Sequence, residues 1–353
     1  MFRNKNKLRI WLPVLVLTVM LAGCGGNGNG SGNGAASSEP SAAPSSEASA
    51  SPEKASVEQP DVEVVLNWFA KSEHGGLFAA QQHGIYEKAG LNVKIEQGGP
   101  QVSSIQIVAS GKAQFGLAHA DQILLAREQG IPIVAVATTF QISPQSIMFH
   151  EGQPIDDFDD LNGRTIYIQS GQPYWEFLKH KYKLDKATEI AYTGQHANFI
   201  ADASSASQSF VTGEPFAVEE QGVPVDTLLV ADSGYKPYAA VIYTTEDFLK
   251  KNPQTVKAFV QSTVQGWEDY KTTSSEIDAH IRTINTNMSE KEMEFAVKTQ
   301  EEFIYGYDAV EHGVGYMTEE RWKTLMEQLI EIGVLSQEQD VTKAFTTEFL
   351  PEK

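Results

Sequence analysis

The chain of 353 residues is long enough for one large core or for two lobes. It carries 46 acidic against 27 basic residues, a net charge of −19. That balance argues against a nucleic-acid partner, whose phosphates demand Lys and Arg. A single cysteine excludes intrachain disulfides and any cysteine-based metal site.

The elements follow in chain order. Arg3, Lys5, Lys7 and Arg9 precede an apolar run from Ile10 to Ala22, with small residues directly after it. A basic head and an apolar stretch of about a dozen residues describe a secretory signal, too short for a mature membrane span. The run closes in Leu21-Ala22-Gly23-Cys24, which resembles the lipobox of bacterial lipoproteins. That resemblance implies removal of residues 1–23 and diacylglycerol on Cys24, with a mature charge of −23. From Gly25 to about Glu58 the composition is Gly, Asn, Ser, Ala, Pro and Glu, which has too little to bury and reads as a flexible tether.

Ordered structure is expected from Val62, where Val62–Leu66 reads as a strand. Gly76–Gln82 reads as a helix, Asn92–Gln97 as a strand, Val102–Ser110 as a helix and Gln114–Ala118 as a strand. Ala120–Gln129 is the next helix and Ile133–Thr138 the next strand. Strands alternating with short helices imply a parallel sheet with right-handed crossovers. The pattern then restarts. Ser146–His150, Arg164–Gln169, Glu189–Tyr192, Thr227–Val230 and Ala239–Tyr243 read as strands. Ile155–Leu161 reads as a short acidic helix and Pro173–Tyr182 as a longer one. Beyond Thr244 the pattern is helical, over 253–270, 275–284, 290–303 and 319–332. The reading is an α/β chain of two lobes, with crossings near Gln145 and Pro237. It divides into a signal (1–23), a lipidated tether (24–60), a first lobe (61–145), a second lobe (146–237), and a return to the first with a helical tail (238–353).

Ligands of open α/β sheets sit beyond the carboxyl ends of strands, where helix N-termini point. The loops at those ends supply Asn67, Trp68 and His74; Gln101 and Ser103; and His119 and Asp121. In the second lobe they supply Gln172, Tyr174 and Trp175; Gln195, His196 and Asn198; Glu214; and Tyr235. Aromatic faces bind a flat ligand by stacking, while Asn, Gln and His read its edge. Lys71 and Lys236 are the only basic residues among these loops. The set therefore favours a neutral or weakly cationic heterocycle, with Glu214 facing an amino group or ring N–H. Gly75 and Gly76 are expected to let a helix begin close to the ligand.

Leu66-Asn67-Trp68-Phe69, His74-Gly75-Gly76-Leu77-Phe78-Ala79-Ala80 and Gly84-Ile85-Tyr86-Glu87-Lys88-Ala89-Gly90-Leu91-Asn92-Val93 resemble the opening of SsuA/THI5-like (NMT1-like) substrate-binding proteins of bacterial ABC importers. Ser110–Gly116, Asp160–Arg164 and Ser233-Gly234-Tyr235 continue the likeness. The resemblance implies a type II periplasmic-binding-protein fold whose lobes close on a solute. The Asn67-Trp68…His74 stretch and Gly213-Glu214-Pro215-Phe216 look more like pyrimidine-precursor and riboflavin binders than sulfonate binders. It implies a monomer held to the membrane by its lipid alone, with an ABC permease and its ATPase as partners. It implies no cofactor, no metal and no catalytic residue. The alternatives are the same role for a sulfonate, taurine or nitrate, a ligand-sensing lipoprotein, and an enzyme of pyrimidine synthesis. Fungal relatives of the last kind carry a cysteine-rich motif that this chain lacks.

Overall fold

A computed structural model describes residues 56–352 of the chain. The signal, Cys24 and nearly all of the tether lie outside the described residues.

Four strands open the first lobe: β1 (Asp61–Val65), β2 (Asn92–Glu96), β3 (Phe115–Ala118) and β4 (Ile133–Phe140). Between them lie α1 (Gly75–Gln82), α2 (Ile85–Lys88), α3 (Ser104–Ala109) and α4 (Ala120–Glu128). β4 reads IVAVATTF and is buried at every position, as a strand covered on both faces must be. The chain then enters the second lobe through β5 (Gln145–His150) and β6 (Thr165–Ile168). It continues through α5 (Pro173–Tyr182), β7 (Thr188–Ala191), α6 (Ala197–Ala201), β8 (Ala206–Phe210), α7 (Glu214–Glu219) and β9 (Val225–Leu229). Pro173 begins α5, where its missing N–H costs nothing. The return is β10 (Ala239–Thr245), followed by α8 (Glu246–Lys251), α9 (Pro253–Ile284), α10 (Glu290–Tyr305), α11 (Asp308–His312) and α12 (Glu319–Glu331).

The sheets run β2-β1-β3-β10-β4 and β7-β6-β8-β5-β9. The two orders are the same pattern twice. In each, three parallel strands and a fourth flank one antiparallel strand that arrives on a crossing between lobes. β10 lies antiparallel between β3 and β4, and β5 antiparallel between β8 and β9. The strand ends of the two sheets therefore face one another across the crossings.

Two sequence expectations differ. The helices expected over 253–270 and 275–284 are one 32-residue helix, α9. The polar run Lys271–Ser274 sits on its surface, while Val256, Phe259, Val260, Trp267, Tyr270, Ile277 and Ile281 keep one buried face continuous. The acidic segment is helical only over Phe158–Leu161, as a 3₁₀ turn whose Asp160 carboxylate accepts the Asp156 and Asp157 N–H groups. Among the described residues no helix is long and apolar enough to cross a membrane.

Candidate functional site

Between the lobes lies a cleft of about 520 Å³, within the range of about 300–1,000 Å³ usual for small-molecule sites. Its first wall is the loop after β1. That loop is held from behind rather than by the ligand side. The Ala70 N–H donates to Gln97 Oε1 (3.0 Å), and Asn285 Nδ2 donates to the Ala70 carbonyl (2.9 Å). Ser72 Oγ and Tyr270 OH both donate to the buried Asp278 carboxylate (2.9 and 2.6 Å), and Gln300 Nε2 donates to the Ser72 carbonyl (3.1 Å). Burial lifts Asp278 to about 6. These ties place Asn67, Trp68, Lys71 and Glu73 in the cleft lining.

His74 lies behind that wall and is fully buried. Its Nδ1 accepts the Lys71 N–H (3.3 Å), and its Nε2 lies 3.1 Å from Asn67 Oδ1. Burial, reinforced by the Lys71 charge, drops its pKa to about 3, so the ring is neutral. With Nδ1 accepting, Nε2 carries the proton and donates to Asn67. The nearby Glu73 carboxyl, 3.8 Å away, is consequently no salt-bridge partner of His74.

The double glycine has a different reason from the one expected. A Cβ on Gly75 would overlap the Tyr270 ring, and one on Gly76 the Trp267 ring; a Cβ on Gly266 would overlap the Gly76 carbonyl. The glycines let α1 pack against α9 rather than against a ligand.

Lys71 joins the lobes. Its Nζ donates to Glu214 Oε1 at 2.8 Å, in a pair only 16% and 11% exposed. Glu214 opens α7 of the second lobe and also accepts the Phe210 N–H (2.8 Å). Burial raises the Glu214 carboxyl, but Lys71 and the hydrogen bonds outweigh it and hold it ionised. Burial lifts Glu73 to about 7 despite Lys71, and Glu214 adds to the rise. Burial also raises Glu292 of α10, which shares the Lys71 field.

Of the residues picked out in the sequence, Asn67, Trp68, Gln101, Ser103, His119, Gln172, Tyr174 and Glu214 line the cleft together. The others do not. Trp175 follows Tyr174 by one position and turns into the core, 1% exposed, among Leu178, Phe158 and Ile166. Asp121 and Tyr235 are buried behind His119, with Tyr235 OH donating to Asp121 at 2.7 Å. Gln195 and Asn198 are exposed, outside the lining. His196 is half-buried and its pKa is lowered by burial; Tyr192 lies 6.0 Å away, ring to ring, and does line the cleft. Sequence reading missed Lys71 as a site residue, and with it Glu73, Gln122, Gln145, Gln169, Gln208, Ser209 and Phe210. Gln208 and Phe210 belong to β8, whose Ser-rich Ala-Ser-Gln-Ser-Phe gives no strand signal.

A family model described as NMT1/THI5 like matches residues 71–277. A riboflavin-binding protein of Chloroflexus aurantiacus is 27% identical over 306 residues, covering 82% of this chain and 86% of that one. A formylaminopyrimidine-binding protein of Halalkalibacterium halodurans is 22% identical over 251 residues, covering 69% and 75%. Among solved structures, the periplasmic aliphatic sulphonate binding protein SsuA of Escherichia coli superposes with a TM-score of 0.62 at 12% identity, covering 81% and 92%. At that identity the superposition speaks for the fold, which is the type II periplasmic-binding-protein architecture.

Proposed function

Because the chain belongs to the NMT1/THI5-like family, we propose that it is the extracytoplasmic solute receptor of an ABC importer rather than an enzyme. The solute is a small flat heterocycle of the riboflavin or thiamine-precursor pyrimidine type, enclosed between the lobes and passed to a permease. The supporting relatives are binding proteins for riboflavin and formylaminopyrimidine that cover most of the chain.

One observation carries the choice of ligand class. Lys71 is the single cation among the described lining residues, and Glu214 neutralises it at 2.8 Å. An oxyanion such as a sulfonate or nitrate gains little from an ammonium already paired, and Glu73 beside it adds repulsion as it ionises. What remains is Trp68, Tyr174, Tyr192 and Phe210 for stacking, with side-chain amides for edges. The anchor belongs to the same reading: Cys24 bears the lipid, the tether spans from the membrane, and the closed lobes are what the permease recognises.

A thermal-shift and calorimetric screen of riboflavin, aminopyrimidines, taurine and alkanesulfonates tests the ligand class. Stabilisation by at least one of the heterocycles and by no sulfonate is expected; binding of sulfonates alone sinks the proposal. For the anchor, Cys24→Ala should release the protein from membranes, and continued membrane partitioning would refute lipidation.

A further inference from the structure

The cleft holds more side-chain amides than charges, and four of them have their polarity fixed by the protein. An amide can turn either its C=O or its NH₂ to a ligand, unless a one-way partner claims one end. Gln122 Oε1 accepts the His119 backbone N–H at 3.0 Å. Gln208 Oε1 accepts the Gln169 backbone N–H at 2.5 Å and the Tyr174 hydroxyl at 3.3 Å. Asn67 Oδ1 accepts from His74 Nε2 at 3.1 Å. A backbone N–H can only donate, so Gln122 and Gln208 cannot be flipped. Asn67 is fixed by the tautomer that the Lys71 N–H imposes on His74. Gln145 is the reverse case: its Nε2 donates to the Ser209 and Ser146 carbonyls at 3.0 and 3.3 Å. Carbonyls only accept, so this amide cannot be flipped either. All four residues line the cleft.

Among the described residues, no partner occupies the NH₂ groups of Asn67, Gln122 and Gln208 or the Oε1 of Gln145. The four amides of fixed polarity therefore offer three donors and one acceptor. Building on the receptor reading above, we infer that the solute is an uncharged oxo-heterocycle whose edge carries ring carbonyls or imine nitrogens plus one N–H, as in a cyclic imide. Asn67, Gln122, Gln145 and Gln208 set that specificity. An amino-substituted ring of the same shape brings N–H groups toward donors, leaving buried donors unpaired on both sides. Such mismatches discriminate strongly, because a desolvated polar group without a partner is costly.

A polarity-inverted pair tests this: 2,4-dioxopteridine and 2,4-diaminopteridine share a bicyclic frame and exchange carbonyls for amines. Calorimetry on the intact protein should give at least tenfold tighter binding of the dioxo compound. Gln208→Glu and Gln122→Glu keep an oxygen for the backbone N–H while exchanging the NH₂ donor for a second oxygen, which carries a negative charge at neutral pH. Binding is therefore compared at pH 7 and near pH 4, where the carboxyl is largely protonated. Each should lower the dioxo-to-diamino preference tenfold or more at both pH values. Equal or reversed preference in the unaltered protein overturns the inference, as does a preference unmoved in both variants. If pteridines, pyrimidines and flavins all fail to bind while an alkanesulfonate succeeds, the receptor reading for heterocycles is what falls. Heterocycle binding without an oxo preference removes only the polarity assignment.

Discussion

The two walls of the cleft are built differently. On the first lobe, the 67–74 loop has no regular structure beyond one 3₁₀ turn, yet buried hydrogen bonds to α9, α10 and Gln97 fix it. The second lobe meets it with shorter pieces: α6 and α7 are five and six residues, and β7 is exposed along its length. Contacts between the lobes include α7 and the residue after it, beside the Tyr235–Asp121 hydrogen bond and the Phe210 ring against His119 and Phe140. Glu214 takes Lys71, Phe216 stacks on Phe295 at 4.9 Å, and Glu220 lies 3.7 Å from Lys291. A first wall fixed from behind by its own lobe thus faces a second built from shorter pieces, which meets it at α7 and, through Tyr235, at Asp121. The lesson is that order in a binding loop comes from what lies behind it, not from its own secondary structure.

The largest test breaks the docking. Lys71→Ala strands the Glu214 carboxylate, and breaking a buried pair costs about 3 kcal/mol at the low end, or roughly a hundredfold in affinity. Small-angle scattering should show a more open molecule. A Lys71→Met/Glu214→Leu double variant should recover the closed form; failure to recover it would mean that the pair is not a latch. Next comes the first wall itself. Trp68→Ala should weaken heterocycle binding at least tenfold, about 1.4 kcal/mol, by calorimetry; an unchanged affinity would remove Trp68 from the stacking surface.

The smallest test is a pH difference. Glu73 binds its proton more tightly folded (about 7) than at its ordinary value of 4.5, so its contribution to stability is complete below about 4.5 and lost as pH rises through about 7. Glu73→Gln should melt higher than the parent at pH 7.5, by about 2–4 °C for each kcal/mol, and match it near pH 4.5. The other groups in this field are Lys71, Glu214, Glu292 and the neutral His74 and His196. They are common to both proteins, and the difference isolates Glu73. A constant offset across that range would deny that Glu73 titrates.

Periodicity revealed most of the elements, including α5 to the residue, because strands and helices there carry strong apolar patterns. It failed where the pattern was local and the answer was not. Trp175 and Tyr174 are neighbours with the same chemistry, and only the roll of α5 sends one to the core and one to the cleft. His74 reads as a ligand group but positions Asn67 from behind. The glycines answer to rings almost 200 positions away. Lining glutamines are spread from Gln101 to Gln208, and nothing in their spacing shows that strand ends gather them.

The exchanged strands have a kinetic consequence. Until β10 arrives, β4 has no partner joining it to β3, and the first lobe's sheet stays in two pieces. β10 begins at Ala239, some hundred residues after β4 ends, so the lobe cannot complete itself from its own N-terminal segment. Such long-range closure raises contact order and slows folding. The first lobe therefore has no finished sheet until the returning strand is in place, and folding of its core waits on residues some hundred positions downstream.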